Sequence, residues 1–395
     1  MFAKSKKLFS ILGVALLAGS LLVGCGGEKK ADNKAGDILK IGANLEMTGT
    51  NASFGKSASN GAKLALKEIN AKGGVLGGKK LELVVADNKS EVAEAANAMQ
   101  KLITSDKVIA SIAPIASSSV IAGAEINQKY KVLGISPTAS NPAVTVDPKT
   151  GKTREYLFRA AFIDPFQGSV MANFASKSLN AKTAALYIEN SSDYAKGLGK
   201  FFQEQFAKNG GTIVAQEAYL QKDTDFKATL TKIKAQNPDV VFVPGYYQEV
   251  GLIIKQAREM GITAPFLGGD GWDSAKLPEI AGQTALDNAF FSNHYSPDDS
   301  SEAVKAFVAN YKKEYNETPD AFAALAYDAT MMVVEAIKRA NSADPTKIRD
   351  ELEKTKDYAA VSGKISLNAT HDAVKSAVIV AFKDGKQIFK EKVNP

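Results

Sequence analysis

The chain reads as an α/β protein of two lobes, each built on a largely parallel sheet with crossover helices. Three observations predict this. Short apolar runs alternate with amphipathic stretches through the body of the chain, the pattern of parallel strands joined by helices. About ten strands are too many for one typical open sheet, and the series restarts near Thr183 with the same rhythm. The end differs: Val361–Leu367, Ala377–Lys383 and Gln387–Lys392 are joined by short turns, including Asp384-Gly385, and read as hairpins closing one lobe.

In chain order the expected strands are Leu39–Leu45, Leu81–Asp87, Val108–Ile112, Val132–Ser136, Leu157–Ala161, Thr183–Ile188, Thr212–Ala218, Val240–Pro244, Pro265–Gly268 and Ala289–Ser292. Each is a short apolar or β-branched run bounded by turn residues. Between them, helical periodicity is expected over Ser57–Lys72, Val92–Asp106, Ser117–Lys129, Gln167–Leu179, Ala195–Asn209, Phe226–Gln236, Glu249–Met260, Ser301–Tyr315 and Phe322–Asn341.

The N-terminus is a separate case. Lys4, Lys6 and Lys7 precede an apolar stretch from Leu8 to Val23, broken by Gly13, Gly19 and Ser20. A basic start, a short apolar core and small residues at the cut describe a secretory signal peptide, residues 1–24. Cys25 is the only cysteine. Leu22-Val23-Gly24-Cys25 resembles the bacterial lipobox, which implies a diacylglycerylated Cys25 at the new N-terminus. Two or three acyl chains anchor firmly, where one binds marginally. Residues 25–37, polar and glycine-containing, read as a flexible tether. The expected location is extracytoplasmic, lipid-anchored to the bacterial cell membrane. With no second cysteine there is no internal disulfide, and packing alone must hold the body together.

The chain carries 49 Lys+Arg against 43 Asp+Glu, a formal charge of +6. Without the three signal-peptide lysines this becomes 46 against 43, or +3. The basic residues are interspersed with acids, a solvated surface and not a nucleic-acid groove.

Gly49-Thr50-Asn51-Ala52-Ser53-Phe54-Gly55-Lys56-Ser57, between a strand and a helix, is close to a nucleotide phosphate loop. That motif needs four residues between its first glycine and Gly-Lys; here there are five. The added residue spoils the convergence of backbone N–H groups on one phosphate, and Asp87 is the only nearby candidate for a Mg²⁺ partner. The segment instead sits at the carboxyl end of the first strand, where open α/β sheets bind ligands. There Phe54 is suited to covering an apolar guest.

Several segments, in order, resemble the branched-chain amino-acid binding proteins of ABC transporters. They are Gly61-Ala62-Lys63-Leu64-Ala65 running on to Gly77-Gly78, Ser117-Ser118-Ser119, Ile135-Ser136-Pro137-Thr138-Ala139-Ser140, Gly245-Tyr246-Tyr247 and Leu267-Gly268-Gly269-Asp270-Gly271. The resemblance runs from about Ile38 to the C-terminus. It implies the type I periplasmic-binding-protein fold, two Rossmann-like lobes joined by a three-segment hinge. Lobe one would be 38–158 and 294–361; lobe two, 159–293 and 362–395. It implies a monomer without cofactor that closes around an amino acid like a flytrap and delivers it to permease subunits.

The resemblance also distributes roles. Ser117, at a helix start with free N–H groups and a positive dipole end, and Ser140 match donors to the ligand carboxylate. Thr138 matches a position whose backbone carbonyl faces the ammonium. Ser118 and Ser119 read as helix caps. Asp270 matches the carboxylate for the ammonium, usually a glutamate in the family. Phe54, Tyr194, Tyr246 and Phe322 match pocket walls, and Trp272 is a further candidate wall. Some relatives carry a disulfide where this chain has Ser90 and Ala116.

An enzyme is the main rival. The two histidines, His294 and His371, lie in no recognisable motif, and there is no Gly-x-Ser-x-Gly elbow. Two distant histidines and one acylated cysteine do not make a metal site. A sensor of the same fold, or one binding an amide, urea or aromatic acid, is the alternative; those ligands lack an ammonium and would leave Asp270 without a counter-charge.

Overall fold

The computed structural model describes residues 38–395. The signal peptide, Cys25 and the tether lie outside the described residues. The first half of the chain runs β1 (Leu39–Leu45), α1 (Ala52–Ala71), β2 (Leu81–Asp87), α2 (Val92–Thr104), β3 (Ala110–Ile112), α3 (Ser117–Tyr130), β4 (Gly134–Ser136), β5 (Leu157–Arg159) and α4 (Asp164–Asn173). It continues with β6 (Thr183–Glu189), α5 (Asp193–Lys208), β7 (Thr212–Tyr219), α6 (Lys227–Ala235), β8 (Val240–Phe242), α7 (Tyr247–Glu259), β9 (Phe266–Gly268), α8 (Lys276–Ala281) and β10 (Ala289–Asn293). Then come α9 (Glu302–Tyr315), α10 (Ala321–Ala340), α11 (Pro345–Glu353), β11 (Tyr358–Ala360), β12 (Gly363–Leu367), β13 (Ala373–Val374), β14 (Ala377–Lys383) and β15 (Lys386–Val393).

Two main sheets result, one per lobe. The first has the order β2-β1-β3-β4-β5 and is parallel throughout. The second has the order β7-β6-β8-β9-β10-β14-β15. Its first five strands are parallel and repeat the topology of the first sheet; β14 and β15 add an antiparallel hairpin. The hairpin expected at Asp384-Gly385 forms, with Asp384 and Gly385 both at positive φ. The expected strand at Val361–Leu367 does not join that sheet. It becomes β12 in a separate small sheet, β11-β12-β13, because its neighbours in sequence supply both pairing partners. Helices α8 and α11 are short and were not expected from periodicity.

The central strands are apolar on both faces, as strands covered by helices must be: β3, β4, β8 and β9 are wholly buried. Helix α10 lies in the core of the first lobe against α1. Their approach is close: a Cβ on Gly61 would stand 2.1 Å from the Ala323 carbonyl oxygen.

The chain crosses between the lobes three times: after β5, after β10 towards α9 and α10, and before β14. Arg159, at the end of β5, ties two of these crossings together. It is fully buried, with Nε 2.7 Å from Asp372 Oδ1. Its Nη1 donates to the Ala139 carbonyl at 2.7 Å and its Nη2 to the Asn141 carbonyl at 3.0 Å and to Thr145 Oγ1 at 2.8 Å. At the other end of the crossing region, the Asp328 carboxylate accepts the N–H groups of Val361 and Ser362.

A candidate amino-acid site between the lobes

In both lobes the strand order reverses direction beside the first strand, between β1 and β3 and between β6 and β8. Ligands of open α/β sheets bind outside the carboxyl ends of strands at such switch points. The two switch points face each other. The segments that leave β1, β3 and β4 therefore meet those that leave β6, β8 and β9, and the cavity is lined from the ends of β3, β4, β6, β8 and β9 together with Phe322 of α10.

From the first lobe, α1 starts at Ala52, five residues earlier than the expected Ser57. The phosphate-loop look-alike is therefore mostly helix, with Phe54 in its first turn, buried. Asp87 is a loop anchor: its carboxylate accepts the N–H groups of Met47 and Thr48 and the Thr48 hydroxyl. Ser90 also steadies this entry, accepting from Asn51 N and donating to the Thr48 carbonyl.

Helix α3 begins at Ser117 with Ala116 as its cap residue and no side-chain cap. The cap reading of Ser118 is corrected: its hydroxyl donates to Asp193 Oδ2 and accepts the Asp193 N–H, a contact from α3 to α5 across the lobes. Ser119 makes no cap either; its N–H donates to the Ala116 carbonyl. Glu46, which sequence reasoning passed over, receives the N–H groups of Ile115 and Ala116 at 3.1 and 3.2 Å. Burial nevertheless pushes its carboxyl up to about 7, against those hydrogen bonds.

Ser117 Oγ accepts the Asn141 N–H at 3.2 Å. Thr138 Oγ1 donates to the Ile115 carbonyl at 3.2 Å, which leaves the strand-end loops locked to each other. Ser140 Oγ is buried without a hydrogen-bond partner.

From the second lobe, Asp270 sits in a short 3-10 turn just after β9. Gln167 Nε2 donates to its Oδ1 at 2.9 Å, and His294 Nε2 lies 3.1 Å from its Oδ2. Burial pushes the His294 imidazole down, opposed by Asp270, so the ring is neutral near pH 7 and offers Asp270 a neutral hydrogen bond. Neither Gln167 nor His294 was singled out as a site residue. Gln167 lies in a helix with no motif, and His294 is 24 positions from Asp270.

The apolar part is an aromatic box. Phe54 stacks on Phe322 at 4.0 Å between ring centroids and meets Tyr246 and Tyr247 edge-on. Tyr194 stacks on Tyr246 at 5.5 Å. Burial raises the phenols of Tyr194 and Tyr246 well above their ordinary value, so they act as neutral hydrogen-bonding walls. Trp272 is placed elsewhere: fully buried, it donates from Nε1 to the Val243 carbonyl at 3.0 Å and packs near Phe291. It supports the Asp270 turn from behind and does not line the cavity.

Seven of the residues singled out in the sequence surround one cavity: Ser117, Thr138, Ser140, Tyr194, Tyr246, Asp270 and Phe322, with Ile115, Ala139 and Gly271. Phe54 backs Phe322. In this closed form the cavity measures about 10 Å³, roughly the space of one water. A guest the size of an amino acid enters only if the lobes part and reclose. The lobes are held together across the cleft by polar contacts, such as Ser53 Oγ to Ser274 Oγ at 2.8 Å and Asn141 Nδ2 to the Asp193 carbonyl at 2.7 Å, and by the rings of Phe54, Tyr246 and Tyr247.

Among the described residues no group of three or more His, Cys, Asp or Glu is placed to hold a metal ion, and no helix is long and apolar enough to cross a membrane.

A two-lobed α/β chain with donors, a buried carboxylate and aromatic walls converging between its lobes is a cleft-type solute-binding protein. The chain belongs to the periplasmic binding protein family, whose model matches residues 38–387. It is similar to a branched-chain amino-acid transporter substrate-binding protein, LivJ, of Streptococcus pneumoniae, solved in complex with isoleucine: 42% identity, 91% of this chain and 100% of that one covered, TM-score 0.85. It is also similar to the leucine-binding protein LivK of Thermotoga maritima, at 39% identity with 90% and 99% covered and a TM-score of 0.85. An amino-acid binding protein of Pseudomonas aeruginosa is 31% identical, over 97% of this chain and 98% of that protein.

Proposed function

We propose that this protein captures a branched-chain or other apolar amino acid between its lobes and delivers it to the permease of an ABC importer, working as a monomer held to the outer face of the cell membrane by lipid on Cys25. The observation that carries the reading is the division of chemistry across the cleft. Ser117 and Ser140, with the N-terminus of α3, supply donors for a carboxylate from one side, and Asp270 supplies an acceptor for an ammonium from the other. Phe54, Tyr194, Tyr246 and Phe322 wall the space between. A zwitterion with an apolar side chain satisfies all three at once.

Closure follows from the same division. A ligand held by both lobes favours the form in which both sets of contacts exist. We place the lobes at 38–158 with 294–361, and 159–293 with 362–395. Burying a leucine-sized side chain contributes roughly 1.5–3 kcal/mol, and each charge-assisted hydrogen bond about 1.5–3 kcal/mol.

A thermal-shift screen of residues 38–395 against all twenty amino acids tests the reading. Leucine, isoleucine or valine is expected to raise the melting temperature most, since a ligand at 100 times its Kd stabilises the native state by about 2.7 kcal/mol. No shift with any amino acid would remove the proposal. For the anchor, Cys25→Ser in the full chain is expected to move the protein from the membrane fraction to the soluble fraction; retention after detergent-free washing would count against lipidation.

A further inference from the structure

Asp164 opens α4, directly after the first crossing between lobes, and is fully buried. Neither carboxylate oxygen has a well-aligned hydrogen-bond partner, although the Ser140 hydroxyl stands close enough to favour the carboxylate. It is a buried acid directly behind Ser140, which lines the cavity, and the amino-acid reading of the cleft does not use it.

Its surroundings are built for it. Its own N–H donates to the Ser140 carbonyl at 2.9 Å, and its carboxyl lies beside the Ser140 hydroxyl, whose residue lines the cavity. Gly197 makes room: a Cβ there would stand 2.6 Å from Asp164 Oδ2 and 2.7 Å from Asn141 Nδ2. The titratable groups facing it are Asp270 from the β9 loop, Tyr194 from α5 and Arg159 from β5. Arg159 is already paired with Asp372. His294 is engaged with Asp270. Asp270 lines the cavity; Asp164 stands behind the Ser140 wall within reach of its charge, and Arg159, the cation that faces it, is committed to Asp372.

We propose that Asp164 is a second acid of the ammonium pole, a specificity-determining residue that, with Asp270, sets a preference for ligands carrying a cation over the same molecules without one. This rests on the amino-acid reading of the cleft and adds a residue and a proton to it.

The physical chain is short. Burial first, then the Asp270 charge, push the Asp164 carboxyl up to about 8, against the Ser140 hydroxyl and Arg159. At pH 7 it carries a proton. An ammonium arriving between Ser140 and Asp270 favours the carboxylate, so the pKa falls and the O–H bond breaks, with the proton leaving to bulk water. The bound form holds fewer protons than the free form. Affinity therefore rises with pH up to the free-site value of about 8, by at most tenfold per pH unit, and levels off above it. A ligand with the same carboxylate and side chain but no ammonium gains nothing from this step and meets a buried acid pair.

The test compares L-leucine with 4-methylpentanoate, its deaminated analogue, by calorimetry on residues 38–395 as the parent and as Asp164→Asn. For the parent, L-leucine binding at pH 7 is expected to release a proton, read from the difference in heat between phosphate and Tris buffers, and to tighten from pH 6 to 8. In D164N the release is expected to vanish, the pH profile to flatten and the preference for leucine over 4-methylpentanoate to drop about tenfold, or ~1.4 kcal/mol. A purely structural role would weaken both ligands alike. Zero proton release by the parent, or a preference unchanged within about twofold in D164N, overturns the inference and leaves the amino-acid reading intact. Failure of the parent to bind any amino acid overturns both. The parent measurement needs no variant to fold.

Discussion

Replacing Arg159 by methionine is expected to destabilise the protein by about 3–5 kcal/mol, the range for removing one partner of a buried ion pair. The residue is fully buried and its guanidinium faces Asp372, two backbone carbonyls and Thr145. Methionine restores some of the volume but leaves Asp372 as an uncompensated buried charge, and frees the carbonyls of Ala139 and Asn141. Those carbonyls belong to the loop that carries Ser140. Arg159 also links the first crossing to the segment that precedes the third, so its loss loosens the region about which the lobes move. The measurement is urea unfolding of residues 38–395, read as the shift in midpoint at constant slope. The double variant Arg159→Met with Asp372→Leu is expected to recover part of the loss, because neither charge is then left alone. A single variant within about 1 kcal/mol of the parent would mean that the pair does not act as described.

Asp270→Ala is expected to weaken amino-acid binding by at least ~2 kcal/mol, roughly thirtyfold. The carboxylate is the proposed acceptor for the ligand ammonium, and it is held in place by Gln167 and His294. Truncation removes the counter-charge and also leaves those two buried donors without their acceptor. Asp270→Asn separates the two effects. It keeps the shape and one carbonyl acceptor but no charge, so it is expected to lose most of the affinity while retaining most of the stability. Calorimetric titration with L-leucine checks both variants. A dissociation constant within a factor of about three of the parent in the alanine variant would take Asp270 out of the site.

The two experiments probe different layers of one design. Arg159 holds loops and crossings in register; Asp270 is the proposed contact of the ligand ammonium. Between them stands the strand-end geometry, which brings residues that follow β3, β4, β6, β8 and β9 around one cavity, with Phe322 of α10.

Much of this was legible in the residues. β1, β2 and β14 fall at the expected positions, because each is an apolar run with clear turn residues on both sides. The restart at Thr183 corresponds to β6, the first strand of the second sheet. The site residues Ser117, Ser140 and Asp270 stand at strand ends, and strand ends are visible where apolar runs stop at Ser, Thr, Gly and Asp. The start of α1 was less legible: Ala52 to Lys56 has no strong helical period, and the helix extends back through it because Phe54 is buried against Phe322.

What the sequence alone determined is therefore local and periodic: the alternation of strand and helix, the doubled unit, and which residue types end each strand. What the tertiary structure decided is which ends meet. Asp164 and Asp270 are over one hundred positions apart, and nothing in either neighbourhood announces the other. Gln167 bridges that distance to reach Asp270, His294 comes in from the second crossing, and Trp272, beside Asp270 in the chain, is turned away into the core. Periodicity reports the face a residue presents within its own element. The partner across a cleft depends on how two sheets face each other, a long-range outcome of packing that no short window of sequence contains.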